Sequence, residues 1–158
     1  MCSSKRENGI DRNMIKIICL GKIKEQYLND MINDYQKRIS KYHKLEIIEL
    51  KDTNNLEEEA SNINRYISNQ DYIISLDIEG KELDSISLAN HLNDTFNHYG
   101  TITFIIGSSN GLSNSIKEKS HLRLSFSKMT FPHGLFRAIL LEQIYRSFKI
   151  LNNETYHK

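Results

Sequence analysis

Five short apolar segments alternate with segments of helical periodicity, and this alternation constrains the fold more than any other feature of the sequence. Each apolar segment has five or six residues: 15–20, 45–50, 72–76, 101–106 and 122–126. Short strands that alternate with helices are typical of a mostly parallel sheet covered on both faces. We therefore predict an α/β fold in which these segments form the sheet.

Between the strands, apolar residues recur every three or four positions, which is the spacing of one helix face. Ser87 is a candidate N-cap for the third helix. In the last and longest helix, Phe136, Leu140, Ile144 and Phe148 lie four residues apart. The pattern predicts helices within residues 28–39, 51–67, 87–99, 113–119 and 134–151.

The length of 158 residues fits a single folded domain. We assign this domain to residues 14–158 and interpret residues 1–13, which lack the apolar segment of a secretory signal, as a flexible N-terminal extension. No apolar run reaches the roughly 18 residues that span a membrane. Cys2 and Cys19 are too few for a disulfide framework, so we expect a cytoplasmic protein, with Cys19 buried in the first strand.

The charges are distributed unevenly, although the formal net charge is only +1. Residues 44–84 have a net charge of −7, and residues 117–158 have +5 before the histidines are counted. Such charge runs are commonly solvated faces of a protein. A basic C-terminal third equally favours an anionic partner such as RNA, and both interpretations stay open at this point.

Three polar loops follow predicted strands, at residues 76–81, 107–111 and 126–133. Because the carboxyl ends of parallel strands share one edge of a sheet, we expect these loops to converge on a small-molecule pocket. The third loop contains Pro132, the only proline of the chain, which restricts the backbone between strand and helix.

Several other kinds of site lack their sequence signatures. Residues 107–111 have neither the lysine of a P-loop nor the glycine spacing of a dinucleotide-binding loop, which makes ATP and NAD poor candidates. No serine lies in a nucleophile elbow. The six histidines include no pair at a recognised metal-ligand spacing, so we expect no metal.

Residues 124–133 (LSFSKMTFPH), together with the closing Tyr156-His157-Lys158, closely resemble the RlmH family of the SPOUT superfamily. Residues 14–17 (MIKI), 76–81 (LDIEGK) and 104–107 (FIIG) match the same family. The resemblance covers about residues 14–158. Members of this family methylate N3 of a pseudouridine in bacterial large-subunit ribosomal RNA.

The resemblance implies a SPOUT-type, mostly parallel sheet with helices on both faces and a C-terminal trefoil knot. It also implies a homodimer, S-adenosylmethionine (S-adenosyl-L-methionine) as methyl donor, and 23S rRNA in the assembled ribosome as partner, at a pseudouridine of the 1915 type in the helix 69 loop. The family's cofactor contacts correspond to residues of the three loops: Leu76, Gly107, Phe126, Ser127, Lys128, Met129, Thr130 and Phe131.

For catalysis we expect His157, with Tyr156 and Arg137, to order the target base near the methyl group. His133 is expected to form part of the wall of the cofactor pocket. The cations expected to meet RNA phosphates are Arg123, Lys128, Arg146, Lys149 and Lys158.

Two positions depart from the family pattern. Ser108 stands where the family usually has a second glycine, and the loop would be altered if that position required positive φ. Asn152 and Asn153 stand where it usually has Arg-Gly, which removes a cation but still permits a left-handed turn. These departures motivate the alternative of a catalytically weakened ribosome-binding paralogue. A SPOUT enzyme that acts on a different RNA has less support, because the Tyr156-His157-Lys158 tail is present.

Overall fold

The computed structural model describes residues 13–158, in which five strands form one parallel sheet. The order across the sheet is β2-β1-β4-β3-β5, and each pairing is parallel, which confirms the predicted class. Apart from Asn13, the predicted N-terminal extension lies outside the described residues. The strands are β1 (Met14–Leu20), β2 (Lys44–Leu50), β3 (Tyr72–Glu82), β4 (Thr101–Ile106) and β5 (Leu122–Ser125).

Helices cover both faces of this sheet. They are α1 (Gln26–Ser40), α2 (Leu56–Asn64), α3 (Ser85–Phe96), α4 (Asn114–Lys119) and α5 (His133–Leu151). One apolar cluster contains Leu28, Leu92 and Leu140 of α1, α3 and α5. The second contains Ile63 of α2 and Ile116 of α4. Within residues 13–158 no helix is both long and apolar enough to cross a membrane.

Strand β1 explains why the strand segments are apolar at consecutive positions. Ile15, Ile17 and Cys19 belong to the first cluster, whereas Ile18 and Leu20 belong to the second. Successive side chains of a strand point to opposite faces, and each of these is at most 1% exposed. Burial of one isoleucine or leucine contributes about 1.5–3 kcal/mol, so β1 anchors both helical layers.

Strand β3 is longer than predicted. The apolar run ends at Leu76, but the strand continues to Glu82. Leu76 and Lys81 both pair with Leu124 of β5, so the residues between them leave the ladder and form an excursion within the strand. Strand β5 ends at Ser125, which leaves Phe126 in the following loop although its alternation assigns it to the strand.

Two helix predictions are wrong in detail. Ser87 is not the N-cap of α3, because the side chain of Asp84 accepts a hydrogen bond from the Ser87 amide at 2.7 Å and the helix begins at Ser85. Helix α2 ends at Asn64, so Ile67 lies beyond the helix while still packing against the second cluster. Burial alone therefore does not define a helix end.

Candidate cofactor and substrate site

The carboxyl ends of β3, β4 and β5 enclose a cavity of about 380 Å³. Each of the three predicted loops contributes to its lining, as the shared edge of a parallel sheet requires. Of the predicted cofactor residues, Lys128 does not line the cavity. Those that do are Leu76, Gly107, Phe126, Ser127, Met129, Thr130 and Phe131.

Gly107 lies where the backbone of its loop folds back against itself. A Cβ atom at this position would lie 2.5 Å from the carbonyl oxygen of Gly111 and 2.9 Å from Cγ of Leu112. Any side chain would therefore push the loop apart. The absence of a side chain lets residues 107–111 close around the cavity.

Ser108 is accommodated without backbone strain. Its φ is not positive, since Asn54 and Asn153 are the non-glycine residues with positive φ among residues 13–158. Its Oγ donates a hydrogen bond to Oε1 of Glu59 at 3.1 Å, and the amide of Thr53 donates to Oε2 at 2.9 Å. The altered loop considered from the sequence is therefore not present, and a buried carboxylate of α2 holds the cavity loop instead.

The role of Glu59 was not predicted from the sequence, although the periodicity of α2 indicates it. Glu59 precedes Ala60 and lies four residues before Ile63, two buried positions of α2. Its own side chain is 2% exposed. A carboxylate on the buried stripe of an amphipathic helix requires a partner, because an unpaired buried charge is costly.

We expect Glu59→Ala to lower the free energy of unfolding by about 2–3 kcal/mol, because it leaves a buried hydroxyl and a backbone N–H without acceptors. Urea unfolding followed by circular dichroism measures this change. Glu58→Ala on the exposed side of the same helix is the control, with a change below about 0.5 kcal/mol. Equal effects of the two substitutions would contradict the assigned role of Glu59.

Asp77 lies on the cavity wall at the start of the β3 excursion. Its Oδ2 accepts from Nε of Arg123 at 2.9 Å and also lies 3.8 Å from Nζ of Lys117. Burial disfavours the charged carboxylate, but the hydrogen bonds from Arg123 and the Glu79 amide and the charge of Lys117 together lower its pKa. Arg123 is therefore committed to Asp77, and its predicted contact with RNA phosphate competes with this ion pair.

For Asp77→Asn we expect a loss of about 1.5–3 kcal/mol in unfolding free energy at pH 7, the range for hydrogen bonds to charged groups. Because the folded-state pKa is lowered, the stabilisation is present above the ordinary carboxylate pKa of about 4 and disappears as pH falls through the folded value. Urea titrations between pH 3 and 7 measure it. Asp34→Asn, in an exposed helical pair, should change by no more than about 0.5 kcal/mol at any pH.

Hydrogen bonds within residues 125–129 shape the loop that follows β5. Oγ of Ser125 donates to the carbonyl of Ser127 at 3.0 Å, and Oγ of Ser127 accepts from the Met129 amide at 3.0 Å. Met129 is 76% exposed although it lines the cavity. The hydroxyl groups of Ser125 and Ser127 therefore hold this wall in place, while Met129 forms its solvent-exposed rim.

The other end of the same loop is held by aromatic packing and a histidine. The rings of Phe126 and Phe131 contact Phe136 of α5, with centroids 5.2 and 5.9 Å apart. Pro132 precedes the first residue of α5, His133, whose Nε2 lies 2.8 Å from the carbonyl oxygen of Leu20. The structure thus places His133 in the cavity wall and joins it to the end of β1.

The C-terminal tail folds back onto α5 through a left-handed turn at Asn153, with φ of 54°. The hydroxyl of Tyr156 donates to Oε1 of Glu142 at 3.0 Å, and the guanidinium of Arg146 lies 4.8 Å from the Tyr156 ring centroid. Nη1 of Arg146 lies 3.1 Å from Nδ1 of His157. The turn expected of asparagine is present, and Arg146 organises the tail.

Arg137 does not join Tyr156 and His157 within the described chain. Its side chain is 4% exposed, with Nη1 2.6 Å from Oε2 of Glu49 and Nη2 donating to the carbonyl of Gly21 at 2.9 Å. It lies nine residues before Arg146 on α5, which is about 13 Å along the helix axis. The predicted catalytic residues therefore occupy two separate places in one chain.

The protonation and ion pairing of its side chains limit the chemistry that the tail can perform. Burial, with hydrogen bonds to Tyr35 and Glu142, raises the pKa of Tyr156, so its hydroxyl stays protonated at neutral pH. Lys149 forms an ion pair with Glu154 at 2.7 Å, and Arg146 with Glu142 at 2.6 Å. Two more of the cations expected at RNA phosphates are therefore already paired.

Cys19 and the potential metal ligands are the remaining candidate side chains. Cys19 is buried in β1 as predicted, and burial raises the pKa of its thiol to about 11, which leaves it protonated. Residues 13–158 contain no group of three or more histidine, cysteine, aspartate or glutamate side chains placed to hold a metal ion.

A family model described as "Predicted SPOUT methyltransferase" matches residues 14–157. The chain belongs to the SPOUT methyltransferase family. A curated relative from Methanococcus maripaludis, "Putative ribosomal RNA large subunit methyltransferase H", is 53% identical over 157 residues, which covers 91% of this chain and 99% of the relative. "Ribosomal RNA large subunit methyltransferase H" of Streptococcus uberis is 46% identical with the same coverage of both chains.

Solved structures of low sequence identity share the SPOUT fold. A probable methylase family protein from Haemophilus influenzae aligns with a TM-score of 0.54 at 14% identity, covering 91% of this chain and 70% of that protein. The SpoU methyltransferase AviRb from Streptomyces viridochromogenes, solved in complex with AdoMet, aligns with a TM-score of 0.50 at 10% identity. That alignment covers 87% of this chain and 58% of AviRb. The trefoil knot itself stays a prediction.

Proposed function

We propose that this SPOUT methyltransferase uses S-adenosylmethionine to methylate N3 of a pseudouridine in the helix 69 loop of 23S rRNA within the ribosome, and hence acts in the cytoplasm. The observation that carries the proposal is that the loops at residues 76–81, 107–111 and 126–133, which resemble those of the RlmH family, converge on one cavity. The names of the relatives support large-subunit rRNA as the substrate. The closing Tyr156-His157-Lys158, shared with the RlmH family, supports the pseudouridine target.

The residues of the cavity fit S-adenosylmethionine. Its volume of about 380 Å³ lies within the range of pockets that hold small ligands. Leu76, Ile106 and Leu112 supply apolar contacts for an adenine ring, and Gly107 lets the backbone approach closely. When bound, the cofactor supplies a methyl group on a positively charged sulfur.

The hydrogen bond between Arg146 and His157 defines what His157 offers to the target base. A guanidinium only donates, so Nδ1 of His157 accepts from Nη1 of Arg146 at 3.1 Å. The proton of the neutral ring then lies on Nε2, which is a donor. We propose that Nε2–H donates to a carbonyl oxygen of the uracil ring beside N3.

This donor acts on the charge that develops during the reaction. N3 accepts the methyl group and gives its proton to water, and negative charge spreads onto the flanking carbonyl oxygens as the N–H bond breaks. A positioned hydrogen-bond donor stabilises that charge more than it stabilises the neutral base. Tyr156 and Glu142 hold the tail so that His157 keeps its position.

We propose in addition that the chain acts as a homodimer, as the resemblance implies. Apolar side chains line a second open cavity of about 370 Å³ beside α3 and α5, including Leu83, Phe131 and Ile139. Burial of such a surface against a second copy is favourable. Sedimentation of the full chain tests this state, and a monomer at working concentrations would contradict it.

Most of the reasons for considering a catalytically weakened paralogue do not apply in this fold. Ser108 makes a buried hydrogen bond with no positive φ, and Asn153 adopts the left-handed turn that the tail requires. Both departures from the family pattern are thus accommodated by the fold. The loss of one cation at Asn152 remains as a difference in charge alone.

The test of this function uses labelled S-adenosylmethionine and ribosomes from cells that lack the native activity. We expect label in N3-methylpseudouridine of the large-subunit rRNA. Cofactor and ribosome binding without label would support the paralogue, and label in tRNA would support an enzyme with another RNA substrate. Either of these last two outcomes would overturn the proposed reaction.

A further inference from the structure

A separate cavity of about 340 Å³ lies at the carboxyl end of β1. The segment after β1 forms one side of it, with Lys22, Lys24 and Tyr27, and the start of α5 forms the other, with Pro132 and Arg137. Neither the sequence patterns nor the proposed cofactor site accounts for it. Its size is sufficient for a small ligand group.

This β1 cavity adjoins the proposed cofactor cavity. Strand β1 pairs in parallel with β4, so their carboxyl ends lie side by side at one edge of the sheet. His133 lines both cavities, and its ring is held at the carbonyl oxygen of Leu20, the last residue of β1. One histidine therefore separates the two cavities.

The lining of the β1 cavity is basic and its lysines are available. Lys22 and Lys24 are exposed, and they enter none of the ion pairs or side-chain hydrogen bonds within residues 13–158. Glu25 is the acidic residue of the lining, against two lysines and the buried Arg137. By contrast, Arg123, Arg146 and Lys149, expected from the sequence to meet phosphates, are in ion pairs. The β1 cavity thus presents two lysines that are free of ion pairs within the described part of the chain.

An exposed aromatic ring accompanies these cations. Tyr27 is 71% exposed, although it lies at the second position of α1 beside the buried Leu28. At the opposite wall, Nε of the buried Arg137 has no hydrogen-bond partner among residues 13–158. Free cations beside an exposed aromatic ring are the combination with which proteins bind single-stranded nucleic acid, through phosphate contacts and base stacking.

We propose that the β1 cavity binds a nucleotide of the RNA substrate, on the same strand as the methylated base. Lys22 and Lys24 contact the two phosphates that flank this nucleotide, and its base stacks on Tyr27. The strand then passes His133 to reach the cofactor cavity. This inference rests on the proposed function, since it assigns the RNA path of that same site.

The first test compares Tyr27→Ala with Tyr27→Phe, which keeps the ring. With ribosomes as substrate, Tyr27→Ala should raise KM about tenfold and leave both kcat at saturation and the cofactor Kd unchanged. Tyr27→Phe should behave as wild type. Tyr66→Ala, which removes another exposed tyrosine near the end of α2, is the matched control. An unchanged KM for Tyr27→Ala would overturn the proposal.

The second test measures binding of an rRNA hairpin fragment across a salt series. Because each phosphate contact to a single strand contributes about 0.7 to the slope of log K against log salt, Lys22→Ala with Lys24→Ala should reduce the slope by about 1.4. Lys41→Ala with Lys44→Ala, at the opposite edge of the sheet, should leave it unchanged. Equal slopes for both double variants would overturn the proposal.

The binding measurement separates this inference from the proposed reaction. If the wild type transfers no label, the proposed function fails, while altered RNA binding by the β1-cavity variants still supports the inference. If the wild type binds no RNA fragment, the inference fails as well. If Tyr27→Ala instead changes the sedimentation coefficient from dimer to monomer, the cavity holds a second copy of the chain, and the inference is wrong.

Discussion

Gly107→Ala should weaken S-adenosylmethionine binding by about 100-fold and reduce methylation at subsaturating cofactor in proportion. The added Cβ would lie 2.5 Å from the carbonyl oxygen of Gly111, so residues 107–111 must move out of the cavity wall. Overpacking of this kind costs about 1–3 kcal/mol, and about 2.7 kcal/mol corresponds to 100-fold in affinity. Isothermal titration calorimetry measures the affinity directly.

Gly100→Ala provides the matched control for this substitution. No atom of the described residues lies within 4 Å of a Cβ built at Gly100, which precedes β4 at the opposite edge of the sheet. We expect unchanged cofactor affinity and a free energy of unfolding that is equal or higher by up to about 1 kcal/mol. If Gly107→Ala binds the cofactor as tightly as Gly100→Ala, residues 107–111 do not form the cofactor site.

His157→Ala should lower kcat by about 100- to 1,000-fold and leave the cofactor Kd within about twofold of wild type. The substitution removes a hydrogen-bond donor aimed at developing charge, and losses of this size are typical of such donors. The tail lies on α5 through Tyr156 and Arg146, so the cofactor cavity should keep its shape. Single-turnover methylation of ribosomes separates the chemical step from binding.

His157→Gln tests the donor role more sharply, because an amide N–H replaces Nε2–H without a basic ring nitrogen. We expect at least a tenfold recovery of kcat relative to His157→Ala, the effect of one restored donor. His98→Ala, at an exposed histidine after α3, is the control and should leave kcat unchanged. Turnover by His157→Ala at the wild-type rate would remove His157 from the mechanism.

The ends of elements show where sequence patterns stop being sufficient. Periodicity predicts α3 to within two or three residues at each end, but Asp84 rather than Ser87 caps it, because both are good caps and the local chain direction decides between them. The apolar run of β3 ends at Leu76, yet pairing of Lys81 with Leu124 extends the strand to Glu82. A strand end depends on its neighbour in the sheet, which lies far away in sequence.

The candidate site also combines features that follow from the sequence with features that depend on tertiary contacts. The positions of three loops at one edge follow from strand polarity alone, and the structure places them around one cavity. The role of Arg137 could not be inferred in this way, because its carboxylate partner Glu49 is 88 residues away in sequence. That Arg123, Arg146 and Lys149 are held in ion pairs, whereas Lys22 and Lys24 are not, likewise depends on tertiary contacts.

The sequence by itself determined the α/β class, the number of strands, the loops of the candidate cofactor cavity and the resemblance to a methyltransferase family. Each of these depends on apolar periodicity or on runs of adjacent residues. The tertiary structure alone decided that Glu59 holds Ser108, that Arg146 holds His157, and that a basic cavity lies beside His133. These features depend on which distant side chains meet when the helices pack on the sheet, since burial selects the partner of each polar group.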